Sequence, residues 1–141
     1  MQEFERLIGA WHGEGDYNGD PPFHLAADAT IERLGPFLVF RSDAAEPPEL
    51  PSTVSIIGGA ADGEPQPMAY FDSRGVHRLF DMTFAGGVWM LDRKAVGPKD
   101  FDQRMTATFS TDGNTITAQS ELRDARTHEM RPDFSVIYRR S

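Results

Sequence analysis

The sequence contains no cysteine. A disulfide scaffold, thiolate zinc sites, iron–sulfur clusters and cysteine nucleophiles are therefore excluded together. Long apolar runs are missing as well, since no stretch approaches the ~20 apolar residues of a membrane span. Positive charge is in deficit, with 14 Lys and Arg against 22 Asp and Glu and a net charge of −8. The average field repels phosphate backbones and anionic membrane surfaces, so neither nucleic acid nor membrane insertion is expected. The opening residues Met1-Gln2-Glu3-Phe4-Glu5-Arg6 lack the basic start and apolar run of a signal peptide, and a cytoplasmic location is expected.

Catalytic signatures are absent too. There is no G-x-S-x-G elbow, P-loop, dinucleotide fingerprint or H-E-x-x-H pair. Helical periodicity is confined to residues 2–8, where Phe4, Leu7 and Ile8 share a face, enough for a short turn that plugs or lids something larger. At 141 residues the chain fits one domain, 1–141, able to bury a core without metal or cross-links.

What is present is β alternation. Trp11, Gly13, Gly15 and Tyr17 oppose His12, Glu14 and Asp16; Leu25, Ala27, Ala29 and Ile31 oppose His24, Asp28, Thr30 and Glu32. Further strands are predicted at 37–41, 54–58, 68–72, 76–84, 88–94, 101–110, 115–122 and 132–139. Turn signals separate them: Gly35-Pro36, the loop 43–51, the stretch 60–67, Ser73-Arg74-Gly75, Ala85-Gly86-Gly87, Gly97-Pro98-Lys99-Asp100 and Thr111-Asp112-Gly113-Asn114. About ten strands joined mostly by tight hairpins predict an all-β fold, a single antiparallel up-and-down barrel, because closing such a meander removes its edges.

Gly9-Ala10-Trp11, entering the first strand after a helical turn, resembles the G-x-W signature of calycins, whose Trp closes one barrel end against a basic residue of the last strand. The resemblance implies Arg139 or Arg140 as that partner. Residues 7–17, Leu-Ile-Gly-Ala-Trp-His-Gly-Glu-Gly-Asp-Tyr, are similar to the N-terminal motif of nitrobindin-like proteins, shortened by one Gly-containing step. Tyr70-Phe71-Asp72-Ser73-Arg74-Gly75, Phe101-Asp102-Gln103-Arg104 and the segment 108–116 resemble a bacterial family of uncharacterised calycin-like, lipocalin-like barrels. Nitrobindins bind haem through a histidine on the final strand, and the matching position here is near Asp133. No histidine lies between Arg131 and Ser141 and His128 falls in a loop, so haem is not carried over and no cofactor is predicted. The Arg-x-Tyr pair of fatty-acid-binding proteins is also missing.

On the face Val76, Arg78, Phe80, Met82, Phe84, Arg78 is the single charge among apolar groups, either a paired structural arginine or an anchor for a ligand anion. Trp89 and Arg93 form a similar face, and Arg104 is expected to join them from the next strand, with Glu121, Asp72 or a bound anion balancing the charge. Tyr70 and the methionines add an adaptable lining. The ligand-binding set is thus Tyr70, Arg78, Phe80, Met82, Trp89, Arg93 and Arg104. His12, Glu14, Asp16, His24 and Asp28 read as a solvated outer face rather than a metal site. The expected function is binding of a small apolar or amphipathic, anionic molecule inside the barrel. An enzyme using Asp or His beside Tyr, and an interaction module working through loops 44–51 and 124–131, are the alternatives, and homodimerisation through the wall is a further expectation.

Overall fold

The computed structural model describes residues 2–19, 21–97, 100–124 and 127–141. Pro98 and Lys99 of the Gly97–Asp100 turn, and Ala125 and Arg126 of the polar segment 124–131, lie outside the described residues. A 3₁₀ turn, Gln2–Leu7, precedes ten strands: β1 Gly9–Tyr17, β2 Phe23–Leu34, β3 Phe37–Glu46, β4 Thr53–Ile57, β5 Gln66–Asp72, β6 His77–Ala85, β7 Val88–Arg93, β8 Gln103–Phe109, β9 Thr115–Arg123 and β10 Met130–Arg140. Each strand pairs antiparallel with its sequence neighbours, and β1 pairs with β10 to close the barrel. Among the described residues no helix is long and apolar enough to cross a membrane.

Strand boundaries differ from the sequence reading where tertiary pairing decides them. Residues 43–46, read as loop, continue β3 because they find partners on β2, Asp43 opposite Asp28 and Glu46 opposite Ala26. Gln66 and Pro67, read as turn, enter β5, with the Pro67 carbonyl accepting from Gly58 N–H at 3.0 Å. Conversely Phe101 and Asp102 stay outside β8, and β10 starts earlier than Pro132.

One end of the barrel is plugged. Leu7 is 1% and Trp11 2% exposed, and both pack in a cluster with Phe4, Ile31, Leu38, Ile57 and Met82. The Trp11 indole N–H donates to the Leu7 carbonyl at 2.8 Å, and the Arg140 guanidinium carbon lies 4.1 Å from the centre of its ring. Arg140 also donates to the Ile8 carbonyl at 2.8 Å, to that of Arg6 at 2.6 Å and to that of Gly113 at 3.2 Å. Of the two arginines implied by the calycin resemblance, Arg140 is therefore the closing partner; Arg139 has the opposite parity and is exposed on the outer wall. Gly13 serves the same closure, because a Cβ there would stand 2.6 Å from the Tyr138 ring that crosses it from β10.

Trp11→Ala removes a fully buried ring, its hydrogen bond and the platform for Arg140, and is expected to cost about 3–5 kcal/mol. Urea denaturation of the two proteins checks this, and a change below about 1 kcal/mol would contradict the placement of Trp11 as the plug.

Candidate functional site

The inward faces divide along the barrel axis. Toward the plugged end the lining is mainly apolar, with Phe80, Met82, Trp89, Leu91, Ala107, Ile116 and Ala118 buried and Gln66 a buried amide opposite Met82. Toward the other end, where β5 and β7 finish and β6, β8 and β10 begin, it turns polar. Tyr70 and Arg78 face each other across β5 and β6, Arg93 and Gln103 across β7 and β8, and Ser120 and Asp133 meet between β9 and β10.

Of the predicted site residues, Tyr70, Arg78, Phe80, Met82, Trp89 and Arg93 share this interior, as the period-2 alternation required. Arg104 does not. It lies on the outer face, where Nε donates to Asp92 at 2.7 Å and Glu121 adds a favourable charge. Inward parity on β8 belongs instead to Gln103, Met105 and Ala107, so Arg104 is a surface ion-pair residue.

The two interior arginines differ in their charge balance. Arg93, its side chain 4% exposed, is held by Asp100 at 2.7 and 3.1 Å and by the Phe101 carbonyl at 3.0 Å, with the Phe101 ring 4.9 Å away. The Arg93 guanidinium in turn holds the Asp100 carboxyl well below the usual carboxylate range. Neither Glu121 nor Asp72 supplies the countercharge expected from the sequence; the loop residue Asp100 does. Arg78 rests over the same Phe101 ring at 5.5 Å and has no hydrogen bond or ion pair among the described residues.

Asp72 is engaged elsewhere. It accepts from the Tyr70 hydroxyl at 2.8 Å, from the Arg74 side chain at 2.6 Å and from the Arg74 and Val76 backbone amides, which locks the hairpin between β5 and β6. Arg74 above all keeps it ionised, while burial first and Asp72 second push Tyr70 up to about 12.

Along the inner wall from β8 to β10 a hydrogen-bonded chain runs from Gln103, whose Nε2 donates to Ser120 Oγ at 3.2 Å, to Ser120, which donates to Asp133 Oδ2 at 3.2 Å. Asp133 faces inward because of an irregularity that alternation cannot show. Pro132 pairs with Glu121 and Ser135 with Gln119, so two residues of β10, Asp133 and Phe134, stand opposite Ser120 alone. This is a bulge, which re-aims a side chain. Burial pushes the Asp133 carboxyl up, against the opposing influence of Ser120, Arg131 and Arg78. Three buried polar atoms on these inward faces lack a hydrogen-bond partner: Arg93 Nε, Gln103 Oε1 and, deeper, Trp89 Nε1. Asp133, Ser120, Gln103, Asp100 and Phe101 escaped the sequence reading; Pro132 inside a strand was the available signal, since strand prolines sit at edges and bulges.

The haem ligation implied by the nitrobindin resemblance does not fit this donor set. The matching position, Asp133, presents a carboxylate engaged by Ser120, and His128 is an exposed residue between β9 and β10. On the outer wall His12 is bonded to Asp28 at 2.8 Å and lies 3.5 Å from Glu14; Asp28 first, then Glu14, raises the His12 pKa. His24 lies 3.5 Å from Asp16, and among the described residues no group of three or more such side chains could hold a metal ion.

No family model and no curated protein matches the chain. Among solved structures it is similar to the crystal structure of Rv2717c from M. tuberculosis, with a TM-score of 0.70 and 15% identity over 99% of this chain and 96% of that one. At that identity the likeness speaks for the barrel fold alone.

Two outcomes follow from these inward charges. A carboxylate whose folded pKa is raised binds protons more tightly in the native state, so its contribution to stability is full below the unfolded pKa of about 3.9 and is lost as the pH rises through the folded value. Asp133→Asn is thus expected to raise the thermal midpoint near pH 7 and to gain much less near pH 3, as two melting series would show. Arg93→Met strands the partly buried Asp100 carboxylate and is expected to cost about 1–3 kcal/mol in chemical denaturation; a neutral result would sink the reading of this pair as a structural latch.

Proposed function

We propose that this protein binds an amphipathic anion, its apolar part against Phe80, Met82 and Trp89 and its charge at Arg78. The observation that carries the reading is Arg78: an inward-facing guanidinium over an apolar lining, without a countercharge among the described residues, beside an Arg93 that has one. A partly desolvated cation left unpaired is costly to keep in a folded protein, and a ligand carboxylate, sulfate or phosphate offsets that cost. The orphaned Trp89 Nε1 adds a donor within the same lining. The fold is compatible with this role, since barrels of this size commonly enclose one small ligand.

The Tyr70–Asp72 pair does not favour the acid–base alternative. A phenol pushed up to about 12 beside a carboxylate that Arg74 keeps ionised offers no group poised to exchange protons near neutral pH.

Calorimetric titration with dodecanoate tests the proposal on the wild type and on Arg78→Met, with circular dichroism verifying that the barrel persists. Loss of one charge-assisted hydrogen bond, about 1.5–3 kcal/mol, corresponds to at least about a tenfold weaker affinity in the variant. Equal affinities would remove Arg78 as the anchor, and no binding by either protein would remove the anionic-amphiphile reading.

A further inference from the structure

We propose that the outer wall of β3 to β6 is a self-association surface, covered by a second copy of this chain about a two-fold axis that sets Arg41 of each copy against Asp81 of the other. One row of outward side chains crosses the four strands by register: Val39 on β3, Ile56 on β4, Ala69 on β5 and Leu79 on β6. Val54 and Phe71 pair in the row beside it. Leu79 is 68%, Phe71 47% and Ile56 39% exposed, so the chain itself leaves this patch uncovered. The wall of β8 and β9 is different. Its outward pairs are Arg104 with Glu121, Thr106 with Gln119 and Thr108 with Thr117, every one polar. A closed antiparallel sheet needs only its inward face to be apolar, and a contiguous apolar patch on the outside marks an interaction site.

The charges at the edge of the patch identify what covers it. β3 and β6 are three strands apart in the antiparallel order and run in opposite directions. Arg41, two residues beyond Val39, and Asp81, two residues beyond Leu79, therefore stand at opposite corners, on either side of a centre at Ile56 and Ala69. Both are exposed, and neither has a hydrogen bond or ion pair among the described residues. Asp81 also stands across from the like charge of Asp92, whose carboxylate is taken by Arg104. An isologous interface uses one patch twice, so a contact from one residue to another is repeated in reverse. A two-fold axis lying in the interface along the other diagonal brings Arg41 against Asp81 of the partner subunit at both corners at once. The apolar centres then meet, and each unpaired charge finds one of opposite sign. A partner with a rim of single sign would satisfy only one corner, and an anionic lipid surface is repelled by the net charge of −8.

The test is sedimentation velocity of the full chain from about 1 to about 200 μM, a range that spans the micromolar dissociation constants of small interfaces. The wild type is expected to pass from 15.7 kDa toward twice that mass as its concentration rises. Leu79→Asp, at an exposed position, is expected to remain monomeric, with circular dichroism verifying that the barrel persists. Arg41→Asp and Asp81→Arg each place like charges at both corners and are expected to weaken the dimer about tenfold or more. The double variant, Arg41→Asp with Asp81→Arg, restores opposite charges and is expected to regain the wild-type association. A wild type that stays monomeric throughout overturns the second copy as the occupant. Dimers that survive Leu79→Asp overturn the placement on this wall, and single effects that add up in the double variant overturn the two-fold pairing.

Discussion

Arg140 lies over Trp11 and donates to carbonyls of Arg6, Ile8 and Gly113. These belong to the N-terminal turn, the entry of β1 and the hairpin between β8 and β9, so one guanidinium ties together segments that the chain visits far apart in sequence. The stacking needs Arg140 to face inward at the end of β10, and this register is also the one that pairs β1 with β10 and closes the barrel. An arginine suits the position where a lysine would not, since a planar fork can stack on an indole and serve several carbonyls at once. Trp11, Leu7 and Phe4 plug this end, and the inward charges Arg78, Arg93 and Asp133 lie toward the opposite one.

That asymmetry explains why polar side chains gather where they do. Near the plug the lining includes Leu38, Ile57, Met82 and Ile116, and the inward amide of Gln66 is buried there because the backbone of Ala60 and Ala61 satisfies it. Toward the opposite end Tyr70, Arg78, Gln103 and Asp133 occupy inward positions half-buried. Arg93 is more deeply buried, its side chain 4% exposed. It persists because the loop after β7 folds back, placing Asp100 and the Phe101 carbonyl on its guanidinium. Phe101 thereby covers both interior arginines, while only one of them receives a countercharge.

Much of this was legible in the residues, and the failures have identifiable causes. The Trp11 plug and an arginine partner, Arg139 or Arg140, were implied by the calycin resemblance, and the inward parity of β6 and β7 follows from strict alternation, which a closed antiparallel sheet enforces because a one-residue slip would turn the core outward. Arg104 was misassigned although Met105, Ala107 and Phe109 already fixed the inward parity of its strand. The partner of Arg93 was hidden because Phe101-Asp102 looks β-prone and was given to the strand, whereas the Phe101 carbonyl accepts from Arg93 and the Asp102 carboxylate from the Ala95 amide. Asp133 was beyond alternation altogether, since Phe134, Val136 and Tyr138 carry the inward pattern and only the bulge admits its neighbour.

The bulge is therefore where local rules give way, and departures of that kind concentrate where proteins handle ligands. A regular β10 would turn Asp133 to solvent and leave Ser120 and Gln103 facing an uncharged wall. With the extra residue at Pro132–Ser135, a carboxylate is drawn into partial burial beside Ser120, and burial raises its pKa. Gln103, whose Oε1 has no hydrogen-bond partner, donates to the same Ser120 that bonds Asp133, so the bulge completes a polar chain of three side chains on the inner wall.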